Sequence, residues 1–191
     1  MSTILTISGS PSASARTGVL VGHVNTRLVE AGHDVRTLQV RQLPTLPLLT
    51  EDMNDPAIAE AVTLVLQADG IVVASPVYRA AYSGLVKALL DLLPKRALRG
   101  RAILPLATGG SQGFLVAMDY ALNPLLASKG ADHVVRGEFV LDNRIRPDLG
   151  ESALDHEAGL AVSAAVDRFT AALADVSYRR RRGTTQLRPA V

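Results

Sequence analysis

Short apolar runs alternate with longer amphipathic segments along most of the chain. Short unbroken apolar runs are typical of strands buried on both faces, and apolar positions recurring every three or four residues are typical of helices. The apolar runs predict strands at residues 3–8, 34–40, 70–75, 101–108 and 133–141. The amphipathic segments predict helices at residues 18–31, 56–68, 83–93, 114–128 and 153–176.

Strands that alternate with helices in this order predict an α/β fold with a doubly wound parallel sheet. Asn54 and Asp55 are candidate N-caps for the second helix, which has Pro56 in its first turn. Pro105 interrupts the fourth strand and predicts a bulge or a sheet edge there. Because ligands of such sheets bind beyond the carboxyl ends of the strands, we expect function in the loops after the first, third and fourth strands.

Composition limits the classes of protein that fit. The 191 residues are 48% hydrophobic and 20% charged, which is typical of a globular domain. The absence of cysteine excludes a disulfide scaffold, a thiol redox site and a thiolate-bound metal. There is no basic leader and no apolar run near the roughly 20 residues of a membrane span, so we predict a cytoplasmic protein without membrane contact.

The basic charge is concentrated at the end of the chain. The formal net charge is +2, but the last fourteen residues contain five arginines and no acid, so the remainder carries −3. Four adjacent arginines are one possible contact for a polyanion such as nucleic acid. We interpret them instead as a flexible, solvated terminus and expect no nucleic-acid partner. The predicted organisation is one domain over residues 1–176 and a basic tail over residues 177–191.

The first loop, GSPSASART, gathers hydroxyl groups and one arginine directly after a strand. It matches neither the G-x-G-x-x-G dinucleotide fingerprint nor the P-loop pattern. The first amides of the following helix, near Thr17 and Gly18, have no intrahelical acceptor, and Arg16 adds a cation. These groups suit a phosphate monoester. The alternative is a serine-rich turn that only caps the helix.

The other two loops contain groups suited to a flat ring. Pro76 stiffens the exit from the third strand, and the amphipathic aromatics Tyr78 and Tyr82 follow it. In residues 108–110, Thr-Gly-Gly, the two glycines have no side chain, so the edge of a planar ligand could approach the backbone there. A plain flexible connection would be equally rich in glycine.

Together these loops resemble the NAD(P)H-dependent FMN reductase family, which has a flavodoxin-like fold. The similarity is greatest to the alkanesulfonate and methanesulfonate FMN reductases of two-component monooxygenase systems. It covers most of residues 4–140 and is carried by residues 9–17, 68–98, 104–110 and 118–126. The resemblance implies a five-stranded parallel sheet in the order 2-1-3-4-5, with FMN and NADPH or NADH as cofactors.

The resemblance also implies which residues bind FMN. Those implied to hold the phosphate are Ser10, Arg16, Thr17 and Gly18. Those implied to line the isoalloxazine and ribityl groups are Pro76, Val77, Tyr78 and Arg79, where the family often has lysine in place of the arginine. Those implied to meet the pyrimidine edge are Thr108, Gly109 and Gly110.

The segment MDYALNPLL predicts an irregular helix. Pro124 has no N–H to donate to the carbonyl of Tyr120, so the helical hydrogen-bond ladder is interrupted there. The sulfonate-linked reductases have a π-helical insertion centred on a tyrosine at the matching position, close to the flavin and the subunit interface. The resemblance therefore implies that Tyr120 stacks near the flavin and controls its exchange. The alternative is a kinked helix with Tyr120 in the core.

The function implied is hydride transfer from NAD(P)H to FMN, with reduced FMN leaving for a partner monooxygenase. We expect a dimer or tetramer, since the segments 85–93 and 114–126 carry more leucine than one buried face needs. The four histidines have no metal-ligand spacing, so we predict no metal site and no acid–base residue. Two alternatives stay open: an FMN-retaining reductase of quinones, azo dyes or metal oxyanions, and a flavodoxin-type electron carrier.

Overall fold

A computed structural model describes residues 1–13 and 15–185 of the chain. The strands are β1 (Thr3–Ser8), β2 (Asp34–Gln39), β3 (Gly70–Tyr78), β4 (Ala81–Tyr82), β5 (Ala102–Gly109), β6 (His133–Val134) and β7 (Glu138–Leu141). They lie in the order β2-β1-β3-β5-β6, with β7 also paired to β5 and β4 paired to β3. All pairs are parallel except the β3–β4 hairpin. The predicted parallel α/β sheet is confirmed.

Helices cover both faces of this sheet. They are α1 (Arg16–Glu30), α2 (Thr45–Leu49), α3 (Pro56–Gln67), α4 (Gly84–Leu92), α5 (Asn123–Ser128) and α6 (His156–Thr185). Alternate residues of β1 face two separate cores: Leu5 and Ile7 pack with α3 and α4, and Ile4 packs with α1 and α6. The strands are apolar on both faces because both faces are buried. Among the described residues, no helix is both long enough and apolar enough to cross a membrane.

Two helix starts follow from their capping residues. The Asp55 carboxylate accepts hydrogen bonds from Ala57 N at 2.9 Å and Ile58 N at 3.2 Å, so Asp55, and not Asn54, is the N-cap of α3. Pro56 follows in the first turn as predicted. Ser83 caps α4 by accepting a hydrogen bond from Leu85 N at 3.2 Å.

The structure has seven strands where the sequence predicts five. The two-residue β4 was not predicted, and the predicted last strand is divided into β6 and β7, which pair in succession with one edge of β5. Between β6 and β7, the three residues 135–137 lie opposite only two residues of β5, Leu104 and Pro105. The β6–β7 segment therefore has one extra residue, as in a β-bulge. Pro105 has no N–H to offer to this edge, and the bulge predicted at Pro105 therefore lies in the neighbouring strand. The alternative of an edge strand is wrong, because β5 lies between β3 and β6.

The last helix is longer than predicted. The sequence pattern ends it at Val176, whereas α6 continues to Thr185 through much of the segment assigned to a tail. Apolar periodicity stops near Val176, but arginine has a high helix propensity and a positive charge is favourable at a helix C-terminus. The final part of the predicted tail, residues 186–191, lies outside the described residues.

At the amino-terminal edge of the sheet, two cations bind the ends of helices. The buried guanidinium of Arg101 donates hydrogen bonds to Ala68 O at 2.9 Å, to Ala97 O at 2.7 Å and to Leu66 O, at the end of α3 and the turn before β5. Lys129 Nζ donates to the carbonyls of Asp91 and Leu93 at the end of α4, at 3.2 and 3.0 Å. Both cations therefore have structural roles at this end of the sheet, away from the three loops predicted to be functional.

Candidate functional site

The carboxyl ends of β1, β3 and β5 lie side by side, and the three loops predicted to be functional leave the sheet there. Gly9 N donates a hydrogen bond to Ala74 O at 2.8 Å, which keeps the first loop against β3. A Cβ at Gly9 would lie 2.2 Å from Val86 Cγ2, so α4 packs directly under this loop. Glycine is required at this position by packing, and the backbone of the loop is held in place.

The first loop presents the uncapped end of α1. The N-cap residue is Ala15, whose side chain has no hydrogen-bond acceptor, and the first turn has no acid. The hydroxyl of buried Ser10 instead bonds Ser12 N and Ser12 O, each at 3.2 Å. The Ser10 hydroxyl therefore does not cap α1, and the alternative of a serine-rich helix cap stays a prediction for the other serines of the loop. Gly18 N already donates to Ala15 O at 2.9 Å, so the helix offers an anion the amides before Gly18 and the positive end of its dipole.

Thr17 joins the first loop to the third. Its hydroxyl lies 2.6 Å from the hydroxyl of Thr108, and both residues are buried. Pro76 is the partner of Thr108 in the register between β3 and β5, so the three predicted loops meet at one level of the sheet. Thr17 was expected at the phosphate, and the structure places its hydroxyl in a bond between loops.

Two arginines at this edge have charges without a partner. Arg16 is the first residue of α1, and Arg79 lies at the tip of the β3–β4 hairpin; both side chains are exposed. Neither forms a hydrogen bond or an ion pair within the described part of the chain. Gly18, also expected at the phosphate, is exposed on the first turn of α1. The site edge therefore has cations available for an anionic ligand.

The second loop is a tight hairpin with unusual backbone angles. Val77 pairs with Tyr82 and Tyr78 with Ala81, so the turn consists of Arg79 and Ala80. Their φ angles are +50° and +62°, in the left-handed region that residues other than glycine rarely adopt.

Ser75, which the sequence analysis missed, holds the base of this hairpin. It is completely buried, and its Oγ donates to Pro76 O at 2.9 Å and accepts from Ser83 N at 2.8 Å. Val77 is buried, whereas Tyr78 is 55% exposed. A serine inside an otherwise apolar run was the available signal for Ser75.

The glycines of the third loop have different surroundings. A Cβ at Gly109 would lie 3.0 Å from Phe139 Cζ, so this glycine is needed for packing against β7. Gly110 is exposed, and a Cβ there would meet only Asp142 Oδ2, at 3.9 Å. The open backbone that a ligand edge requires is therefore at Gly110 more than at Gly109.

The predicted irregular helix is a π-helix over Met118–Leu122, followed by α5. Asn123 N donates to Met118 O, five residues back, and Pro124 occupies the first turn of α5. Tyr120 lies at the centre of the π-helix and is 82% exposed, so the alternative that places it in the core is wrong. The predicted helical segment over residues 114–128 is confirmed, with irregular geometry: a 3-10 turn (Gln112–Leu115) leads without a break into the π-helix and then α5.

Met118, the first residue of the π-helix, packs against Gly137 in the segment between β6 and β7. A Cβ at Gly137 would lie 2.1 Å from Pro105 O and 2.7 Å from Met118 Cε. Met118 packs in a small core with Val77 at the base of the hairpin and with Phe139. The π-helix also contacts β4. Tyr120 and the hairpin are thus held on one core, a relationship that no local sequence pattern indicates.

The donors and rings at this edge suit an FMN molecule. The uncapped amides of α1 and the unpaired Arg16 provide hydrogen-bond donors and positive charge for a phosphate. The exposed rings of Tyr78 and Tyr120 provide aromatic surface for a flavin. Burial raises the pKa of Tyr82 above its ordinary value, against the opposing effect of Lys87. The Tyr82 phenol is therefore neutral at pH 7.

No group of three histidine, cysteine or acidic side chains within the described residues is arranged to hold a metal ion.

Comparisons with known proteins agree with this description. Residues 2–145 match the family described as NADPH-dependent FMN reductase. The FMN reductase (NADPH) of Pseudomonas putida strain KT2440 is 43% identical over 142 residues, which are 74% of this chain and 72% of that protein. The crystal structure of the apo form of NADH:FMN oxidoreductase (EMOB) superposes with a TM-score of 0.81 at 38% identity, covering 88% of both chains.

A more distant structure identifies the fold. Oxidised flavodoxin 1 from Bacillus cereus superposes with a TM-score of 0.60 at 16% identity, covering 88% of this chain and 96% of that chain. The fold is therefore flavodoxin-like, as the resemblance implies. On the match over residues 2–145, the chain belongs to the NADPH-dependent FMN reductase family.

Proposed function

We propose that this protein transfers a hydride from NADPH or NADH to FMN and releases the reduced FMN to a partner monooxygenase of sulfonate-sulfur assimilation. The observation that carries the proposal is the pairing of an uncapped α1 N-terminus with an exposed tyrosine on a π-helix at the same sheet edge. The first suits the phosphate of a mononucleotide, and π-helices are frequent at functional sites.

The phosphate of FMN would be held by Arg16, by the first amides of α1 as far as Thr17, and by the loop that contains Ser10. Gly18 N already donates to Ala15 O at 2.9 Å, so Gly18 would contribute space for the phosphate and not a hydrogen bond. The ring and ribityl chain would lie along residues 76–79, with the pyrimidine edge at residues 108–110. Hydrogen bonds from backbone amides to a phosphate are charge-assisted and need no further cation. A site with one or two arginines and an open ring face fits a ligand that exchanges.

When bound, FMN supplies the chemistry by accepting a hydride at its N5 position. The side chains of this chain would then act by holding the two reactants in contact and by limiting access of water. Hydride transfer of this kind requires no acid or base from the protein. Tyr120 would pack near the ring and set how long the flavin stays.

The protein would assemble as a dimer or tetramer through the π-helix region. Leu115, Val116 and Tyr120 are 40%, 47% and 82% exposed, which is unusual for large apolar side chains so close together in sequence. The leucines of α4 do not support the proposal in the same way, because Leu89 and Leu90 are buried in the chain's own core.

An anaerobic spectrum of the purified protein, recorded before and after addition of FMN and NADPH, tests the function. We expect colourless protein and bleaching of added FMN in many-fold molar excess over protein. Yellow protein that reduces quinones rapidly without added FMN would instead support a reductase that retains FMN. Flavin binding without oxidation of NADPH or NADH would support an electron carrier.

A further inference from the structure

Arg16 and Arg79, the two exposed arginines of the site, lie at different distances beyond the carboxyl ends of the strands. Arg16 begins α1, next to Thr17, whose hydroxyl meets Thr108 at 2.6 Å. Arg79 follows Pro76, the partner of Thr108 in the register, by three residues. At about 3.3 Å per strand residue, the Arg79 backbone lies roughly 10 Å beyond Pro76 in the direction of β3, just past the carboxyl end of that strand. One phosphate bound at the end of α1 is therefore nearest to Arg16, and Arg79 stands at the outer rim.

Arg79 is held at that rim by a strained turn. Two-residue hairpin turns with both residues at positive φ usually consist of Asn-Gly or similar pairs, whereas here they are Arg79 and Ala80. The turn is maintained by the β3–β4 pairing and by the buried hydroxyl of Ser75, 2.8 Å from Ser83 N. Strained backbone of this kind persists where the surrounding structure enforces it, often at binding sites. The strained turn therefore presents a guanidinium that has no hydrogen-bond or ion-pair partner among the residues that the structure describes.

We propose that the guanidinium of Arg79 binds the pyrophosphate of the dinucleotide substrate, and that only the backbone of Arg79 lies along the flavin. The inference rests on the proposed function and assigns a partner to its second substrate. The nicotinamide must approach the open face of the flavin, so the rest of the dinucleotide extends across the outer rim. The pyrophosphate is common to NADPH and NADH and bears two charges, and a planar guanidinium binds such oxygens in bidentate fashion.

Arg79→Asn is the variant that tests this assignment, because asparagine tolerates the left-handed turn while the guanidinium is lost. The control is Arg99→Asn, which removes an exposed arginine from the turn before β5, at the opposite edge of the sheet. We expect Arg79→Asn to raise KM about tenfold for both NADPH and NADH, a typical loss for one charge-assisted contact. We expect KM for FMN to stay within about twofold of the wild-type value, as for a surface substitution that does not touch the ligand.

A binding measurement gives a readout that does not depend on turnover. Adenosine diphosphate ribose, which contains the pyrophosphate but no nicotinamide, is titrated calorimetrically into protein saturated with FMN. We expect its affinity to fall about tenfold in Arg79→Asn, and that of adenosine to be unchanged. Arg79→Lys keeps the charge without the planar fork, and we expect it to recover part of the affinity.

The alternative results overturn the assignment in distinguishable ways. Weaker binding of NADPH alone would mean that Arg79 recognises the 2′-phosphate. A raised dissociation constant for FMN would place Arg79 on the flavin, and equal behaviour of the Arg79 and Arg99 variants would give it no role. Absence of FMN-dependent NADPH and NADH oxidation in the wild type refutes the proposed function itself, and it is seen before any variant is compared.

Discussion

The hydroxyl groups of Thr17 and Thr108 lie 2.6 Å apart, although 91 residues separate them in the sequence. One is in the first turn of α1, and the other is near the end of β5. Both are buried, so each hydroxyl depends on the other for its hydrogen bond. This contact sets the position of the α1 N-terminus relative to the third loop, and with it the shape of the proposed phosphate site.

Replacement of either threonine by valine should destabilise the protein. Thr17→Val or Thr108→Val leaves a buried hydroxyl unpaired, which costs about 1–3 kcal/mol in free energy of unfolding. The double variant has no unpaired hydroxyl, so we expect its loss to be smaller than the sum of the single losses. Urea denaturation of the four proteins measures the cycle. Strict additivity would show that the two hydroxyls do not interact.

Arg16→Ala should weaken FMN binding without affecting the fold. Arg16 is exposed and unpaired, so its removal breaks no contact within the described chain. We expect the dissociation constant of FMN to rise about tenfold, the loss of one charge-assisted bond to a phosphate. Flavin titration followed by fluorescence measures this, with riboflavin, which lacks the phosphate, as the control ligand. An equal effect on riboflavin would remove Arg16 from the phosphate site.

The sequence is a good guide where structure depends on local chemistry. Asp55 and Ser83 cap the helices that they precede in the sequence, and Pro124 interrupts the helical ladder at Tyr120. These features need only a side chain and its near neighbours, so the residue types suffice to predict them.

The features that the sequence does not reveal depend on distant pairing. The Thr17–Thr108 bond requires the register that aligns Thr108 with Pro76, and two hydroxyl residues among many give no signal of it. The left-handed turn at Arg79 and Ala80 was missed because neither residue is typical of that conformation. The fold class was therefore predictable, and so was the meeting of the three loops at one end of the sheet, whereas the contacts between those loops were not.

Tyr120→Ala should convert an exchanging flavin into a retained one. Tyr120 is exposed on the π-helix, which Met118 anchors in a small core, and under the proposed function its ring would lie near the flavin and prevent tight closure around it. We expect the variant to purify yellow and to deliver less reduced FMN to a monooxygenase. Tyr178→Ala, a change at an exposed tyrosine of α6, is the control. Colourless Tyr120→Ala protein with wild-type transfer of reduced FMN would contradict the assigned role.

Arg101→Leu should be among the most destabilising single changes. The guanidinium is buried and donates to carbonyls that end α3 and shape the turn before β5, including Ala68 O and Ala97 O. Leucine leaves these acceptors buried without donors, at a cost of about 3 kcal/mol or more. Arg99→Leu removes the same charge from an exposed position and should change the unfolding free energy by less than about 0.5 kcal/mol. If both variants lost a similar amount of unfolding free energy, the positive charge and not the hydrogen bonds of Arg101 would account for the loss.

Glu138 should make the stability of the protein fall as pH rises through the acid range. Burial raises the pKa of this β7 carboxyl above its ordinary value, against the opposing charges of Arg168 and Arg136. The folded protein therefore holds the proton to a higher pH than the unfolded chain, and stability is lost as pH rises from the unfolded towards the folded pKa. Glutamine has no proton to lose, so we expect Glu138→Gln to be more stable than wild type at pH 7.

The difference between Glu138→Gln and wild type should shrink near pH 4, where the wild-type carboxyl is largely protonated in both states. Urea denaturation at the two pH values measures it. Glu60→Gln, on the exposed face of α3, is the control for the loss of one negative charge. A Glu138→Gln variant that is less stable than wild type at pH 7 would show that the arginines outweigh burial, and that this carboxylate is stabilised in the folded state.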